Sequence, residues 1–280
     1  MSLVSDTHGR VLERLNQIPS IYEPSETALI ILGDAGINFW FDIKEQKQKS
    51  IINKRGFTIY CVRGNHEERP ENLPRIMYVY DENVKNGVIL EQEFPNIRYL
   101  MDGEKYEIMG KSVLVIGGAY SVDKWVRLHD AGVYDKLHPD YTNSKKTGWF
   151  PDEQLYDWER KMIEEEHFGK HYDVILTHTC PIIWEPRDLF LPDLDQSEVD
   201  KSMELWLDEL KDKISWGVWL WGHYHSDRIE RPHCEMYYHN IEDLNTIWNR
   251  WYGEKTFKNE WWLQKAPNFY MKDNPWAEEV

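Results

Sequence analysis

The sequence predicts an α/β protein in which buried strands alternate with helices. The first observation is a set of short apolar runs, rich in β-branched residues, that each end in a polar cluster, as buried strands do. These runs are ALIILGDAG, GFTIYCVRGNHE, KSVLVIGGAYS, YDVILTHTCP and WGVWLWGHYHS. The second observation is the helix-like composition of the stretches between them, which are residues 10–17, 44–53, 151–167 and 198–213. Buried strands covered by helices are typical of this fold class.

The third of these predicted helices has a clear start signal. Pro151 suits the first turn, and Asp152 and Glu153 are stabilised there by the positive end of the helix dipole. On the last predicted strand, Trp219 and Trp221 alternate, so their side chains share one face of a sheet. We interpret these two tryptophans as sheet packing rather than as a ligand cage.

Three parts of the chain fit this alternation poorly. Residues 1–4 leave room for only a very short strand before SDTHGR, which suggests a shortened start. Residues 181–200 are acidic and broken by proline, which indicates a loop. Its part 185–200 is most simply a solvated loop, and a gate over a substrate is the weaker alternative. From Asn240 onward the tail is rich in Trp and Tyr and has no clear periodicity.

The composition limits the classes of function. A length of 280 residues is within the range of a single α/β domain. The chain has 33 Lys and Arg against 49 Asp and Glu, which gives a net charge of −16. Such a surface repels a phosphate backbone, which disfavours a protein that coats nucleic acid but leaves room for a local cationic pocket. Bound metal ions would neutralise part of an acidic site.

The pattern of cysteines and the hydropathy of the sequence indicate the cellular compartment of the protein. Cys61, Cys180 and Cys234 are an odd, widely spaced set without a C-x-x-C pair, which argues against a disulfide framework and for a reducing environment. The sequence has no signal-peptide pattern and no apolar run of roughly 18 residues. We therefore predict a cytoplasmic protein without a membrane span.

Polar side chains with metal-ligating atoms follow the ends of the predicted strands. In chain order they are Asp6-Thr7-His8, Gly33-Asp34, Gly64-Asn65-His66-Glu67, His178 and Gly222-His223-Tyr224-His225. Their oxygen and nitrogen donors bind Mn, Fe or Zn without any cysteine. A lone Asp-x-His or Gly-Asp is more often turn chemistry, and a lone histidine is more often a hydrogen-bonded residue. The ordered occurrence of all five clusters favours a metal centre.

A hydrolase that uses two metal ions needs a particular set of ligands. One carboxylate is shared between the ions, each ion has further ligands, and the ions lower the pKa of a bridging water towards about 7. Asp34 suits the shared position. The adjacent glycine lets the backbone turn sharply so that the side chains converge.

The series D-x-H, G-D, G-N-H-E, H and G-H-x-H, in this order from Asp6 to His225, resembles the calcineurin-like metallophosphoesterases. The resemblance implies a four-layer α/β/β/α sandwich with two central mixed sheets and a single domain over 1–280, in which 240–280 is an extension packed on the domain. It also implies two divalent ions, Mn, Fe or Zn, with Mn expected to support activity in vitro. The residues matched to one ion are Asp6, His8, Asp34 and His225. Those matched to the other ion are Asp34, Asn65, His178 and His223.

The resemblance also gives roles to the cluster after the third strand. Asn65 is a neutral ligand, which limits the negative charge around an attacked phosphate and places it beside the substrate. His66 matches the general acid of the family, which protonates the leaving oxygen. Glu67 accepts hydrogen bonds that orient the ligands, or it is a surface carboxylate; the sequence leaves both open.

The sequence departs from the serine/threonine protein phosphatases of this family. There the Gly-Asp motif continues to an Asp-Arg-Gly that supports the general acid and binds phosphate, whereas here residues 33–39 read GDAGINF. A protein phosphatase activity is therefore disfavoured. Arg63 before Gly64 matches that branch, and it either contacts phosphate or pairs with a structural carboxylate.

The segment GGAYSVDKWVR, residues 117–127, is a second source of phosphate contacts. Arg127 is our candidate for substrate binding here. The structural interpretation is a helix start with Ser121 as its cap, Asp123 in its first turn and a solvent-facing Arg127, and it is compatible with substrate binding.

These observations predict a metal-dependent phosphoesterase. Its reaction would be the in-line attack of a metal-bridging hydroxide on a small phosphate mono- or diester or a nucleotide, without a phospho-enzyme. Asp34 and His66 are the predicted catalytic residues, and Arg63, Asn65 and Arg127 are the predicted substrate contacts. The alternatives are a metal-binding scaffold of the same fold without turnover and a serine/threonine protein phosphatase. The oligomeric state and the preference for mono- or diesters stay open.

Overall fold

The computed structural model describes residues 1–190, 192 and 195–253. Its strands are β1 (Ser2–Val4), β2 (Ala28–Leu32), β3 (Thr58–Val62), β4 (Ile76–Asp81), β5 (Asn86–Glu91), β6 (Ile97–Tyr99), β7 (Lys105–Ile108), β8 (Lys111–Ile116), β9 (His171–Thr177), β10 (Ser215–Trp221), β11 (Arg228–Arg231), β12 (Cys234–Met236) and β13 (Glu242–Asp243). Its α-helices are α1 (Val11–Gln17), α2 (Ile43–Lys54), α3 (Lys124–Asp130), α4 (Ser144–Thr147), α5 (Asp157–His167), α6 (Ser202–Lys213) and α7 (Leu244–Tyr252).

The strands form two mixed sheets. The first has the order β13-β1-β2-β3-β6-β5-β4, and the second has the order β11-β12-β10-β9-β8-β7. Strands β1, β2, β3 and β6 are parallel, as are β8, β9, β10 and β12, while the antiparallel strands lie towards the edges. Within each parallel set, the carboxyl ends therefore lie at one edge of the sheet.

Three apolar clusters bind the layers together. The cluster between the sheets takes alternate residues from both, including Leu3, Ile30, Leu32, Val113, Val115, Leu176 and Leu220. The other face of the first sheet packs on α1 and α2 through Leu29, Ile31, Val11, Leu15 and Ile52. The other face of the second sheet packs on α5 and α6 through Ile116, Ile175, Ile163, Met203 and Leu210. These clusters confirm the four-layer α/β/β/α sandwich with two mixed sheets.

The predicted start of the third helix is wrong. The helix α5 begins at Asp157, and the preceding carbonyls are bound by two arginines rather than by helical N–H groups. Arg63 Nη1 donates to the carbonyl of Glu153 at 2.7 Å, and Arg69 Nη2 donates to that of Gln154 at 2.9 Å. These tertiary hydrogen bonds hold the segment in an irregular conformation, which local sequence signals do not report. The helix α6 likewise begins at Ser202 instead of residue 198.

The sheet-packing interpretation of the two tryptophans is confirmed. Trp219 and Trp221 are fully buried on the helix-covered face of the second sheet. Their rings lie 5.3 and 6.0 Å from the ring of Trp184, which is itself buried. The loop over 181–200 is thus anchored at its start by an aromatic side chain. Glu185 is also buried and pairs with Lys201 Nζ at 2.7 Å, so this part of the loop is not simply solvated.

The tail from Asn240 contains regular structure where it is described. Strand β13 pairs with β1, and α7 follows directly. Leu244, Ile247, Trp248 and Trp251 of α7 pack against the inter-sheet core. Their spacing of three and four residues is helical, so the expectation of no periodicity was wrong for this stretch. Residues 254–280 of the predicted extension lie outside the described part.

The three cysteines are buried and free. Among the helices of the described ranges, none has the length and apolar character that crossing a membrane requires. The cytoplasmic location stays a prediction.

A buried carboxyl group in α6 makes the stability of the protein depend on pH. Glu204 is 3% exposed, and its Oε1 accepts a hydrogen bond from Thr179 Oγ1 at 2.8 Å. Burial raises the pKa of Glu204 from 4.5 to about 7. The unfolded chain therefore ionises this group at lower pH than the folded chain does, so stability is lost as the pH rises from about 4.5 through 7.

We predict that Glu204→Gln relieves this loss. At pH 8 the variant should have a free energy of unfolding about 1–3 kcal/mol higher than that of the original chain, because the amide is never ionised. At pH 5 the two should be close to equal. Denaturant unfolding at both pH values measures this, with Glu209→Gln, an exposed position on the same helix, as the control. A variant that is less stable at pH 8 would contradict the assignment.

Candidate metal centre

Five of the predicted ligand residues have a left-handed backbone conformation. Their φ angles are +48° for Asp6, +42° for His8, +51° for Asp34, +68° for His223 and +52° for His225. Residues other than glycine adopt this region at an energetic cost, and such residues cluster at functional sites. Here the conformation turns the chain sharply after β1, β2 and β10.

The first group of converging donors comes from both sheets. One ligand atom each of Asp6, His8 and His225 lies within 4.8 Å of the others. The Nε2 atoms of His8 and His225 are 2.9 Å apart, and Asp6 Oδ1 lies 3.5 Å from His225 Nε2. Two imidazole nitrogens and a carboxylate oxygen thus surround one point.

The second group lies deeper. Asp6, Asp34 and His178 offer ligand atoms within 4.8 Å of one another, and all three residues are buried. His178 Nε2 is 3.6 Å from Asp34 Oδ1 and 2.9 Å from Asn65 Oδ1. The His223 ring lies 5.1 Å from the His178 ring, between ring centroids. The fold therefore brings the donors matched to the second ion together.

The two carboxylates differ in what their oxygens contact. Asp34 Oδ1 faces His178, whereas its Oδ2 lies 4.0 Å from His8 Nε2, so Asp34 faces a histidine of each group. Asp6 Oδ2 instead accepts hydrogen bonds from Ser5 Oγ at 2.6 Å and His223 N at 2.8 Å. This leaves only Oδ1 of Asp6 for a ligand. Asp34 thus faces both donor groups, whereas Asp6 has one oxygen that is not held by a hydrogen bond.

The donor set fits divalent cations. Asp6 Oδ1 is buried and has no hydrogen-bond partner among the described residues, an arrangement that costs free energy unless a cation is bound there. Imidazole, amide and carboxylate donors together suit Mn, Fe or Zn. The candidate groups and their chemistry thus support the binding of divalent metal ions.

Hydrogen bonds between the sheets orient the ligands. His178 Nδ1 donates to the Leu32 carbonyl of the first sheet at 2.8 Å, which leaves Nε2 free to ligate. Ser5 Oγ lies between Asp6 Oδ2 and the same carbonyl. Asn65 Nδ2 donates to Ser121 Oγ at 2.8 Å, which directs the amide oxygen of Asn65 towards His178. Sequence reasoning missed the roles of Ser5 and Ser121; the position of Ser5 next to Asp6 was the available signal.

Electrostatics keep the carboxylates ionised. Burial raises the pKa of Asp34, but the charges of His178 and His66 outweigh it and hold the pKa well below its usual range. Burial lowers the pKa of His178, but the charge of Asp34 outweighs it and raises the pKa to about 9. Burial and the charge of His178 lower the pKa of His223 to about 3. The buried carboxylates thus have the charge that binds a cation.

The predicted general acid lies beside these groups. His66 N donates to Asp34 Oδ1 at 2.9 Å, and the His66 ring lies 5.9 Å from the His8 ring and 6.2 Å from the Phe39 ring, between centroids. Glu67 is buried, and its Oε1 accepts from Gly64 N at 2.6 Å. The surface alternative for Glu67 is therefore wrong, and its carboxylate braces the turn that presents Asn65.

The two predicted arginines have different surroundings. Arg63 is buried, and its Nε pairs with Asp102 Oδ2 at 2.8 Å, which is the contact expected of the structural alternative. Arg127 is partly exposed, and its guanidinium carbon lies 5.3 Å from the centre of the Phe39 ring, which the His66 ring also contacts. Contact with substrate stays a prediction for both. Ser121 does not cap α3, because Asp123 occupies the cap position.

The fold and the site together define the class: a four-layer α/β/β/α sandwich with candidate metal-binding groups at its strand ends. The chain belongs to the calcineurin-like phosphoesterase family, whose model matches residues 3–227. The match covers every predicted metal ligand. No curated protein matches the sequence.

A comparison of two glycines tests whether metal binding requires the close packing of Gly33 against the His178 ring. Both Gly33 and Gly132 are left-handed, with φ of +88° and +78°. A Cβ at Gly33 would overlap the His178 ring at Nδ1, whereas a Cβ at Gly132 would meet no atom within 4 Å. We predict that Gly33→Ala weakens Mn affinity about 10- to 100-fold, because it displaces a ligand.

Calorimetric titration of chelator-treated protein with Mn measures this affinity. Gly132→Ala introduces the same backbone strain and should bind Mn as the original chain does. Equal affinity of the two variants would show that the position of His178 does not matter for metal binding.

Proposed function

We propose that this protein hydrolyses small phosphate mono- or diesters or nucleotides with two divalent metal ions. The observation that carries the proposal is the convergence of donors from both sheets on Asp34, whose two oxygens face a histidine of each group. Membership of the calcineurin-like phosphoesterases supports the same reaction class.

The metal ligands divide as follows. Asp6, His8 and His225 would hold one ion with Asp34, and Asn65, His178 and His223 would hold the other with Asp34. When bound, such ions lower the pKa of water towards about 7 and stabilise negative charge on a phosphate. Asn65 contributes an oxygen without charge, so the site repels an anionic substrate less than a third carboxylate would.

His66 and Arg127 would act on the substrate. The Nδ1 atom of His66 is buried, which leaves Nε2 to donate a proton to the leaving oxygen. Arg127 is partly exposed, packs on the Phe39 ring that His66 also contacts, and offers a planar guanidinium suited to phosphate oxygens. The direction of proton transfer is from Nε2 of His66 to the leaving group.

The substrate class follows from charge and motif. A net charge of −16 disfavours long nucleic acids, so a small phosphoester or a nucleotide is the proposed partner. The missing Asp-Arg-Gly disfavours a protein phosphatase. We keep a cytoplasmic location and Mn as the activating ion as parts of the proposal.

Metal removal and reloading test the activity. Chelator-treated protein should hydrolyse neither para-nitrophenyl phosphate nor bis-para-nitrophenyl phosphate, and Mn should restore turnover of at least one, because the nucleophile depends on the ions. Elemental composition on the same sample gives the ions bound per chain. The ratio of monoester to diester turnover then directs the choice of natural substrates.

Two negative results of this experiment would have different meanings. Bound metal without turnover on these substrates and on a panel of nucleotides would favour the scaffold alternative. Protein that binds no metal would contradict the site itself.

Two substitutions separate the predicted roles. Asp34→Asn should lose bound metal and activity together, because it removes the shared carboxylate charge. His66→Gln should retain the metal and lower turnover about 100-fold, most strongly for poor leaving groups, because only proton donation is lost. Metal content and kcat of each variant measure this, with the exposed Asp212→Asn as control. Loss of metal in His66→Gln would contradict this division.

A further inference from the structure

A cavity next to the candidate metal centre is lined by residues to which the proposed function gives no role. Its volume is about 520 Å³, which is within the usual range for sites that bind small molecules. Its walls come from the segment at the start of α3 and from the connections around α4 and α5. The lining residues that bear on its ligand are Tyr120, Lys124, Tyr141, Trp149 and Glu153.

Three aromatic rings of this cavity gather around one ammonium group. Lys124 Nζ lies 4.1 Å from the centre of the Trp149 ring, and 5.8 and 5.9 Å from the ring centres of Tyr120 and Tyr141. The rings of Tyr141 and Trp149 are 5.3 Å apart between centroids. Within the described ranges, no carboxylate oxygen lies within ion-pair distance of Lys124. Its N–H groups are therefore available to a ligand.

Two buried polar atoms of the lining lack a well-formed hydrogen bond. Among the described residues, neither Trp149 Nε1 nor Glu153 Oε2 has a partner of normal geometry. The first is a donor and the second an acceptor, and buried polar atoms without partners are costly and uncommon. Burial raises the pKa of Glu153 to about 7, although the side chains of Ser121 and Trp149 lie close enough to oppose this effect. The cavity thus offers a donor and an acceptor close together.

Direct contacts join this cavity to the candidate metal centre. Ser121 Oγ accepts a hydrogen bond from Asn65 Nδ2 at 2.8 Å, and the residue before Ser121 is Tyr120 of the lining. Arg127 Nη1 donates to the carbonyl of the residue that precedes Trp149, at 3.1 Å. The cavity therefore adjoins a predicted metal ligand and a predicted phosphate contact. A substrate with its phosphate at the metal centre has this cavity next to it for the rest of the molecule.

The lining fits a nucleobase better than it fits other groups that phosphoesters carry. A base has flat faces that pack on aromatic side chains, and its edges carry both N–H donors and nitrogen or oxygen acceptors. The rings match the faces, and the ammonium, the indole N–H and the carboxyl group match the edges. An acyl chain offers no hydrogen bonds to these groups. A second phosphate would meet the carboxyl group of Glu153 with charge of the same sign.

We propose that this cavity binds the base of a nucleotide whose phosphate lies at the metal centre, and that it thereby selects nucleotides as substrates. The proposal rests on the proposed function and narrows its substrate class. Tyr141 packs against the face of the base, and Glu153 accepts a hydrogen bond from its edge. Lys124 and Trp149 Nε1 donate to acceptors of the base. No covalent bond changes in the cavity, so its residues set specificity rather than perform the reaction.

The first test measures binding and does not need activity. In saturation-transfer NMR with chelator-treated protein, AMP and GMP should receive saturation most strongly at the H8 proton of the base, and ribose 5-phosphate should receive little. Tyr141→Leu should reduce the H8 signal about fivefold or more, because the ring that packs on the base is lost. Tyr134→Leu, which changes an exposed tyrosine outside the cavity, should leave the signal unchanged.

The second test compares substrates with and without a base on the Mn-loaded protein. The monoester pair is GMP or AMP against ribose 5-phosphate, and the diester pair is thymidine 5′-(para-nitrophenyl phosphate) against methyl para-nitrophenyl phosphate. For at least one pair, kcat/KM should be about 10-fold or more higher with the base. Tyr141→Leu and Glu153→Gln should each lower this ratio about 5- to 10-fold and change kcat/KM of the substrate without a base by less than about twofold. A purely structural loss would lower both values equally.

Two results would overturn the inference. One is equal kcat/KM for the two members of each pair, because the cavity then contributes nothing to substrate choice. The other is an H8 signal that is absent in the original chain or unchanged in Tyr141→Leu, because the base then does not lie in this cavity. If the original chain hydrolyses no phosphoester at all, the proposed function fails, while the NMR experiment still decides whether the cavity binds a base.

Discussion

The hydrogen bond from His178 to the Leu32 carbonyl is the contact on which the rest of the site depends. The bond joins the carboxyl end of β9 in the second sheet to the carboxyl end of β2 in the first sheet. The distance from His178 Nδ1 to the Leu32 carbonyl oxygen is 2.8 Å. Ser5 Oγ lies within hydrogen-bond distance of the same carbonyl, at 2.8 Å, and of Asp6 Oδ2, at 2.6 Å, and its single proton serves both acceptors. Because donors for both groups come from both sheets, the face-to-face packing of the sheets and the assembly of the site are one process. The buried core between the sheets therefore stabilises the candidate metal-binding groups as well as the fold.

Negative charge and backbone strain are concentrated at the carboxyl ends of the strands, where the predicted ligand residues lie. Two buried carboxylates, Asp6 and Asp34, lie side by side, and burial raises the pKa of both, but hydrogen bonds and charges of the neighbouring histidines outweigh it and hold both pKa values down. Left-handed backbone at the ligand positions adds a further cost. Divalent ions would relieve the repulsion between the carboxylates and satisfy Asp6 Oδ1. A site that is costly without its ions and stable with them is consistent with a protein whose activity depends on metal.

The sequence predicted those features that short-range patterns encode. Polar clusters after apolar runs located the strand ends, and the family resemblance that their order supports implied which donors meet. Features set by distant contacts were not predictable in this way. The start of α5 was misplaced because Arg63 and Arg69, distant in sequence, bind the carbonyls before it. Likewise, the surroundings of Arg63 depend on Asp102, and the orientation of Asn65 depends on Ser121, neither of which has a motif of its own.

Crystals of the protein loaded with Mn, measured at the Mn absorption edge, test the central claim most directly. We expect two anomalous peaks about 3.5–4 Å apart, with Asp34 between them, one beside His8 and His225 and the other beside Asn65 and His178. A single peak, or peaks that lie away from Asp34, would contradict a centre in which this carboxylate is shared by two ions.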